Sequence, residues 1–342
     1  MNQPNHFQVL DGWRAISILL VLAAHLLPLG PKSLMLNSTA GVMGMSLFFI
    51  LSGFLITSFL LKSINMIDFI SRRFFRIVPL AWLYLIVVLV LVDGNTDTYL
   101  SHLFFYANLP PVVTIKETSH FWSLCLEMQF YVLTALLVTV LGRRGLMMLP
   151  LLCLAVTGIR IASGVHVSVV TYYRLDEVLA GCCLALAYRS HTEIKFGFFR
   201  FLFNPYLFLV LLIVACHPAS GWMNYFRPYF AMLLIGSTMM NKHTQIVTFL
   251  QLKSFAYIAA ISYALYVFHG GLRHTWLGEG DTMEKYLKRP LLFAVTFLLA
   301  HVSTFYYERK FTAWGRVFAK RLNDFVGKNK RSKGISKQNQ EL

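Results

Sequence analysis

Long apolar segments recur along the whole chain, and most are close to the length of a bilayer-spanning helix. Such a helix takes about 20 mostly apolar residues, because the hydrocarbon core of a bilayer is about 30 Å thick. Of the 342 residues, 57% are hydrophobic and only 13% are charged. A soluble protein carries about 25% charged residues, so this chain has too little polar surface for a water-soluble body. The sequence therefore predicts an all-α, polytopic transmembrane helix bundle.

About ten of these segments are predicted to span the membrane. They cover residues 12–30, 41–61, 77–93, 119–141, 146–163, 171–189, 201–217, 228–241, 255–274 and 289–308. The segment 98–111 is too short and too rich in proline to span, so we expect it to lie along the interface or to re-enter the membrane. We predict a transmembrane domain over residues 1–310. A basic tail over residues 311–342 follows, and we expect disorder at its end.

The distribution of Lys and Arg predicts the orientation of the bundle. With the N-terminus in the cytoplasm, 22 of these residues fall on the cytoplasmic side, ten of them from Arg309 onward, and nine fall on the other side. Cytoplasmic loops carry an excess of Lys and Arg, so both termini are predicted to be cytoplasmic. Half of the formal net charge of +16 lies from Arg309 onward. That location suits anionic membrane lipids, and we expect no nucleic-acid partner.

Ionisable residues inside the predicted spans are candidates for function, because a charge at mid-bilayer costs about 2.5–3.5 kcal/mol on insertion scales. Arg14 and His25 lie three helical turns, or about 16 Å, apart on one face of the first span, which places His25 deep in the bundle. Glu127 and Ser123 share a face of the fourth span. We expect Glu127 beside His25, where a carboxylate fixes the imidazole tautomer of a general base. An ion pair without chemistry explains this spacing equally well.

Three arginines near the cytoplasmic side form a second candidate group. Arg73 and Arg76, three residues apart, share a face at the mouth of the third span. Together with Arg14 they would hold a phosphorylated ligand, because the forked donors of arginine match phosphate oxygens. A juxtamembrane basic cluster is also a common topology anchor. Asp176 and His269 lie near the outer ends of their spans, where internal pairing is favoured over contact with an acceptor.

Two other function classes are compatible with buried polar groups. A proton-coupled transporter or flippase uses buried Arg, His and Glu as an ion relay. Such a protein usually has inverted repeats with broken helices, and no repeat is apparent in this sequence. A membrane scaffold with a lipid-binding tail leaves Arg14, His25 and Glu127 unexplained. We predict no metal site, because no set of His, Asp and Glu has the spacing of metal ligands.

Five motifs in a fixed order carry a resemblance to a known family. They are LDGWRAISILLVLAAH (Leu10–His25), SLFFILSGFLIT (Ser46–Thr57), RRFFRIVPLAWL (Arg72–Leu83), HFWSLCLEMQFYVL (His120–Leu133) and SYALYVFH (Ser262–His269). One motif alone is weakly specific, whereas the ordered set is specific. The chain resembles the acyltransferase-3 family of integral-membrane O-acyltransferases over everything except the tail.

The resemblance implies an activity and roles for several residues. The histidine that matches His25 is regarded as essential for acyl transfer in that family, and the family arginines match Arg14, Arg73 and Arg76. Glu127 matches the glutamate of the Trp-Ser-Leu motif. A cytoplasmic acyl-CoA donor is implied, with acetyl-CoA as the commonest. The implied acceptor is a hydroxyl of an envelope carbohydrate or glycolipid, such as lipopolysaccharide, modified by a multi-pass protein of the cytoplasmic (inner) membrane.

Two positions depart from the family pattern and shape the predicted mechanism. Met128 and Ser46 stand where many members have acidic residues, so we expect no mechanism that needs paired carboxylates. We predict O-acyl transfer with His25 as general base or transient acyl carrier and with Glu127 orienting its imidazole. No hydrolase-like domain of the kind that some relatives carry is apparent, so we expect transfer to finish within the membrane domain. The candidates for contact with the acceptor are Trp122, Ser123, Asp176 and His269.

Overall fold

The computed structural model describes residues 8–193, 204–241 and 243–338, and every regular element in these ranges is a helix. The prediction of an all-α bundle is therefore confirmed. The α-helices are α1 (Gln8–Leu26), α2 (Leu36–Lys62), α3 (Met66–Leu91), α4 (Thr96–Leu103), α5 (Trp122–Leu141), α6 (Arg143–Met147), α7 (Leu149–Ala162), α8 (Leu175–Glu193), α9 (Pro205–Cys216), α10 (Arg227–Met240), α11 (Gln245–Leu250), α12 (Lys253–Arg273), α13 (Thr282–Val302) and α14 (Arg309–Gln338).

Six helical segments within the described ranges are long and apolar enough to cross a membrane, as expected of a multi-pass membrane protein. They are Gln8–Leu26, Lys32–Lys62, Met66–Leu91, Lys116–Leu141, Lys253–Arg273 and Thr282–Val326. The other predicted spans coincide with α7 to α10. Of these, α7, α9 and α10 have 14, 12 and 14 residues, or about 18–21 Å at 1.5 Å per residue. The count of ten spans thus stays a prediction, and residues 201–203 of one predicted span lie outside the described residues.

The start of the predicted tail is part of the helical bundle. After α13 the chain passes through a π-helical turn, Ser303–Glu308, into α14, which packs against α3. The Phe318 ring lies 5.6 Å from that of Phe75, and the Asn65 side chain donates a hydrogen bond of 3.1 Å to Asn323. The boundary predicted at residue 310 therefore falls inside a continuous helical run. Residues 339–342, at the end where we expect disorder, lie outside the described residues.

Small residues allow the central helices to touch backbone to backbone. Here α2 crosses α8, and α1 packs against both α2 and α12. A Cβ atom added to Gly53 would lie 2.0 Å from the carbonyl oxygen of Val178, and one added to Gly181 would lie 2.1 Å from that of Ile50. Glycine at such crossings is typical of membrane helices, which associate through close van der Waals packing. The crossing fixes α2 and α8, and both helices carry side chains of the polar clusters described below.

The end of α1 differs from the prediction, and this difference changes the environment of His25. The helix ends at Leu26, four residues before the predicted end of the first span. Pro28 disfavours a helical conformation at the residue before it. The Asn37 side chain also donates a hydrogen bond of 2.8 Å to the carbonyl of Ala24, which caps the last turn. His25 therefore lies in that last turn and is exposed, instead of being deep in the bundle as predicted.

Five fully or almost fully buried charged side chains link α7, α8 and α10. We call Arg160, Arg174, Asp176, Glu177 and Arg227 the buried ion network. Arg160 pairs with Asp176, and Glu177 accepts contacts from Arg227 at 2.8 Å and Arg174 at 3.1 Å. Each of these side chains is at most 3% exposed. Removing one partner of a buried pair typically destabilises a protein by about 3–5 kcal/mol, so this network ties the three helices together.

Candidate active site

A pocket between α1, α2, α3, α5 and α12 contains the three arginines that were predicted to bind phosphate. Arg14, Arg73 and Arg76 all line it, and we call it the arginine pocket. Its volume is about 820 Å³, counting the part that is open to solvent. The first and fourth predicted spans, now α1 and α5, therefore face one cavity, as the predicted mechanism requires.

The spacing of the arginines on α3 explains which of them reach the pocket. Arg73 and Arg76 lie on one face because residues three apart are neighbours on a helix. Arg72 turns away, and its exposed side chain bonds to Asp68 over 2.8 Å. Among the described residues, neither Arg73 nor Arg76 has a carboxylate within 4 Å. Their positive charge is thus available to an anionic ligand in the cavity.

Glu127 lies in the arginine pocket and is held there by neutral hydrogen-bond donors. Its side chain is buried, with 6% exposed. One carboxylate oxygen accepts a hydrogen bond of 2.6 Å from the Ser52 hydroxyl and another from the Tyr131 hydroxyl. The negative charge also acts on Arg14 and Arg76. The pocket lining therefore combines three guanidinium groups with one carboxylate. Arg14 also pairs with Asp11 over 3.8 Å outside the lining, and an excess of positive charge remains.

The structure does not pair Glu127 with His25 as predicted. In the described part of the chain His25 hydrogen-bonds to His269 instead. Glu127 lies five residues into α5, about 8 Å from the start of that helix, whereas His25 lies one residue before the end of α1. The prediction put both at one depth because it extended the first span to residue 30. Because α1 ends earlier, the His25 imidazole lies near the end of its helix, whereas the Glu127 carboxylate lies deeper along α5.

His25 and His269 form what we call the histidine pair, one helical turn beyond the arginine pocket. His25 Nδ1 and His269 Nε2 are 3.0 Å apart, and the two rings stack with centroids 5.2 Å apart. His269 is fully buried, whereas His25 is exposed. His269 Nδ1 lies 2.7 Å from the carbonyl oxygen of Tyr266 on the same helix. The pair therefore couples an accessible imidazole to an anchored one.

A third histidine, His120, packs against the histidine pair and was not predicted as a site residue. Its ring lies 4.8 Å from that of His269, and its Nε2 bonds to the carbonyl of Val267 over 3.1 Å. A Cβ atom at Gly270 would lie 2.0 Å from His120 Nδ1, so only glycine lets the ring lie against α12. In the sequence, only the position of His120 at the start of the fourth motif pointed to a role in the site. Within the described residues, no three His, Cys, Asp or Glu side chains are grouped as metal ligands.

Two stacked aromatic rings lie in the wall of the arginine pocket, and one of them contacts the histidine pair. Phe48 and Tyr266 lie with centroids 6.5 Å apart and planes only 5° from parallel, and both line the pocket. The pocket reaches Val21 on α1 and Tyr266 on α12. His25 and His269 follow these residues by four and three positions, which is one helical turn. Tyr266, whose ring lies 5.5 Å from that of His269, therefore contacts both the pocket and the histidine pair.

The remaining predicted site residues have mixed surroundings. Ser123 lines the arginine pocket, and its hydroxyl lies 2.6 Å from that of Tyr266. Trp122 is half-buried beneath the guanidinium of Arg174, 5.1 Å from the ring centre. Asp176 has no exposed surface and belongs to the buried ion network. This geometry favours internal pairing over acceptor contact for Asp176, and it makes Trp122 the link between that network and the site.

The amino-acid sequence matches a family model over nearly the whole helical bundle. The model is described as an acyltransferase domain and matches residues 7–309. The chain belongs to the acyltransferase-3 family. The family prediction is thereby confirmed, and the matched range contains both the arginine pocket and the histidine pair.

Curated relatives are O-acetyltransferases by name. The chain is 24% identical over 317 residues to the O-acetyltransferase OatA of Staphylococcus aureus, covering 79% of this chain and 51% of the relative. It is 29% identical over 217 residues to the putative peptidoglycan O-acetyltransferase YrhL of Bacillus subtilis, and 28% over 218 residues to the peptidoglycan O-acetyltransferase OatA of Listeria monocytogenes. Those two alignments each cover 52% of this chain and 33% of the relative. The chain thus spans about half the length of these relatives or less. No solved structure matches it significantly.

Proposed function

We propose that this protein is a membrane O-acetyltransferase that moves an acetyl group from acetyl-CoA to a hydroxyl of an envelope carbohydrate. The observation that carries the proposal is the arginine pocket, which has an excess of positive charge and reaches within one helical turn of an exposed histidine. Membership of the acyltransferase-3 family supports acyl transfer. The names of the relatives support acetyl as the acyl group and peptidoglycan as one class of acceptor.

The arginine pocket is proposed to bind the donor from the cytoplasmic side. Arg14, Arg73 and Arg76 hold the phosphates of acetyl-CoA, because guanidinium groups bind phosphate oxygens through paired hydrogen bonds. The pantetheine arm then lies along the pocket and directs the thioester towards His25, about 16 Å from Arg14 along α1. Glu127, fixed by Ser52, holds the arginines in their positions, a role that replaces the predicted contact with His25.

The proposed reaction is the attack of an acceptor hydroxyl on the thioester. His25 removes the hydroxyl proton while the oxygen forms a bond to the carbonyl carbon. The carbon–sulfur bond breaks, and His25 returns the proton to the departing CoA thiolate. The products are an acetyl ester and free CoA. Transient transfer of the acetyl group to His25 is the two-step version of the same chemistry. Holding both substrates in one cleft supplies the proximity that they lack in water.

The first test replaces His25 by alanine in purified protein reconstituted in nanodiscs. With radiolabelled acetyl-CoA and peptidoglycan or lipopolysaccharide fragments, we expect kcat for His25→Ala to fall by about 10²- to 10⁴-fold, the usual contribution of a general base. His301→Ala is the matched control. It removes a histidine that bonds to Tyr257 over 3.0 Å outside the arginine pocket, and its rate should stay within about twofold. An unchanged rate for His25→Ala in correctly inserted protein contradicts the proposal.

The acceptor is identified by mass spectrometry of envelope glycans and glycolipids from cells with and without this protein. We expect one glycan class to lose acetyl esters when the protein is absent, and its chemistry distinguishes peptidoglycan from lipopolysaccharide. The alternative of a proton-coupled transporter or flippase predicts another result. In that case labelled substrate exchanges across reconstituted vesicles and no glycan becomes acetylated, which would contradict the proposed function.

A further inference from the structure

The hydrogen bonds of the histidine pair determine which nitrogen of each ring carries a proton. His269 Nδ1 faces the carbonyl oxygen of Tyr266 at 2.7 Å. A carbonyl oxygen only accepts, so His269 Nδ1 carries the hydrogen. In a neutral imidazole the other nitrogen is then an acceptor. His269 Nε2 therefore accepts from His25 Nδ1, 3.0 Å away. This chain of bonds leaves His25 Nε2 with a free electron pair.

The surroundings of His269 keep its ring neutral and fixed. Its side chain has no exposed surface, and a buried charge without an opposite partner is unfavourable. The titratable groups that face the histidine pair are His120, Arg273 and Tyr266, and His274 in turn faces His120. None of these is acidic, so none stabilises a positive charge on His269. The ring is further held by contact with His120, which itself lies against α12.

We infer that His269 is a positioning residue that holds His25 in the tautomer with its basic Nε2 available to the acceptor hydroxyl. The inference rests on the proposed role of His25 as general base. In neutral histidine, the hydrogen bond at one ring nitrogen decides which nitrogen is protonated. Without His269 the exposed His25 ring exchanges tautomers and rotates. His269 thus fixes the imidazole tautomer of His25, the role that the sequence analysis predicted for Glu127. The complete burial of His269 argues against the acceptor contact predicted for it.

The first experiment measures the tautomer directly and needs no activity. In ¹⁵N-histidine-labelled protein in nanodiscs, nitrogen chemical shifts distinguish an imidazole protonated at Nδ1 from one protonated at Nε2. The His25 signals are assigned as those missing from His25→Ala. We expect His25 to be protonated at Nδ1 in the unaltered protein and to move towards the Nε2 form in His269→Leu. A His25 that is already protonated at Nε2 in the unaltered protein overturns the inference.

The second experiment compares two substitutions of His269 in the acetyl-transfer assay. Leucine removes the acceptor, whereas glutamine places its amide oxygen near the former position of Nε2. We expect His269→Leu to lower kcat by about 10²-fold, the lower end of the general-base contribution, with KM for both substrates within about twofold. His269→Gln should keep kcat within about tenfold. An unchanged kcat in His269→Leu, or an equal loss in both variants, overturns the inference.

Failure of the inference is distinguishable from failure of the proposed function. If His25→Ala transfers acetyl at the full rate, the proposed function is wrong whatever the tautomer. If His25→Ala is inactive while His269→Leu keeps its kcat, only the positioning role is wrong. Size-exclusion profiles show whether the leucine variant folds. If the leucine variant does not fold, the His25 tautomer measured in the unaltered protein still tests the inference.

Discussion

Two arginine clusters in this protein differ in how their charge is balanced. In the buried ion network three arginines meet two carboxylates, and each side chain is at most 3% exposed. The lining of the arginine pocket holds three arginines and one buried carboxylate, Glu127. Arg14 also pairs with Asp11 over 3.8 Å, whereas among the described residues Arg73 and Arg76 have no carboxylate within 4 Å, and Arg76 is exposed. Charges that are directly paired and sealed have no room for a ligand and hold helices together. An excess of positive charge beside a cavity needs an anion, so residue type alone does not separate structure from function.

The largest expected effect comes from the buried ion network. Glu177→Ala leaves Arg174 and Arg227 buried without their shared carboxylate. We expect the free energy of unfolding in detergent to fall by about 3–5 kcal/mol, or the protein to fail to accumulate. Glu284→Ala is the control, because it removes a pair of 3.5 Å at a 55% exposed side chain and should cost at most about 1 kcal/mol. If the two variants are equally stable, the buried ion network does not hold the helices together.

A smaller and different effect is expected in the arginine pocket. Arg73→Ala or Arg76→Ala removes a charged hydrogen-bond donor worth about 1.5–3 kcal/mol to bound phosphate. We therefore expect KM for acetyl-CoA to rise by about 10- to 100-fold, with the free energy of unfolding changed by less than about 0.5 kcal/mol. Arg72→Ala, on the same helix but bonded to Asp68, should change KM by less than about twofold. A fall in kcat with KM unchanged would argue against phosphate binding there.

The smallest effect tests how Glu127 is held. Ser52→Ala removes its hydrogen bond of 2.6 Å, while that from Tyr131 remains. We expect a loss of about 1 kcal/mol in donor binding, or about a fivefold rise in KM for acetyl-CoA. Ser237→Ala is matched as a buried serine that bonds only to a carbonyl of its own helix among the described residues, and KM should not change. If Ser52→Ala also leaves KM unchanged, Glu127 does not organise the pocket.

Features that depend on the spacing of residues close in the sequence could be predicted from the sequence alone. The length of the apolar segments predicts the helices. The three-residue spacing of Arg73 and Arg76 predicts that they share a helix face, and both do line one pocket together with Arg14. The order of five motifs is enough for the family. Each of these inferences uses residues that are close in sequence or a pattern that needs no three-dimensional contact.

Contacts between helices that are distant in the sequence could not be predicted. The partner of His25 lies 244 positions away, at His269, and no local pattern relates the two. The depth of His25 was misjudged because the first span was extended through Pro28, whose effect on the preceding residue ends α1 early. Asp176 could not be resolved between pairing and binding, because the choice depends on Arg160 from another helix.

The stacked rings of Phe48 and Tyr266 have a consequence for the energetics of the cell. On the proposed function, one substrate arrives from each side of a bilayer that maintains an electrical potential. An open water-filled passage between those sides would let protons leak and would dissipate that potential. The two rings, 6.5 Å apart and nearly parallel, lie in the wall of the arginine pocket, and Tyr266 also contacts His269. On the proposed function, we infer that these rings narrow the route between the two substrates, so that the envelope is acetylated while the membrane keeps its potential.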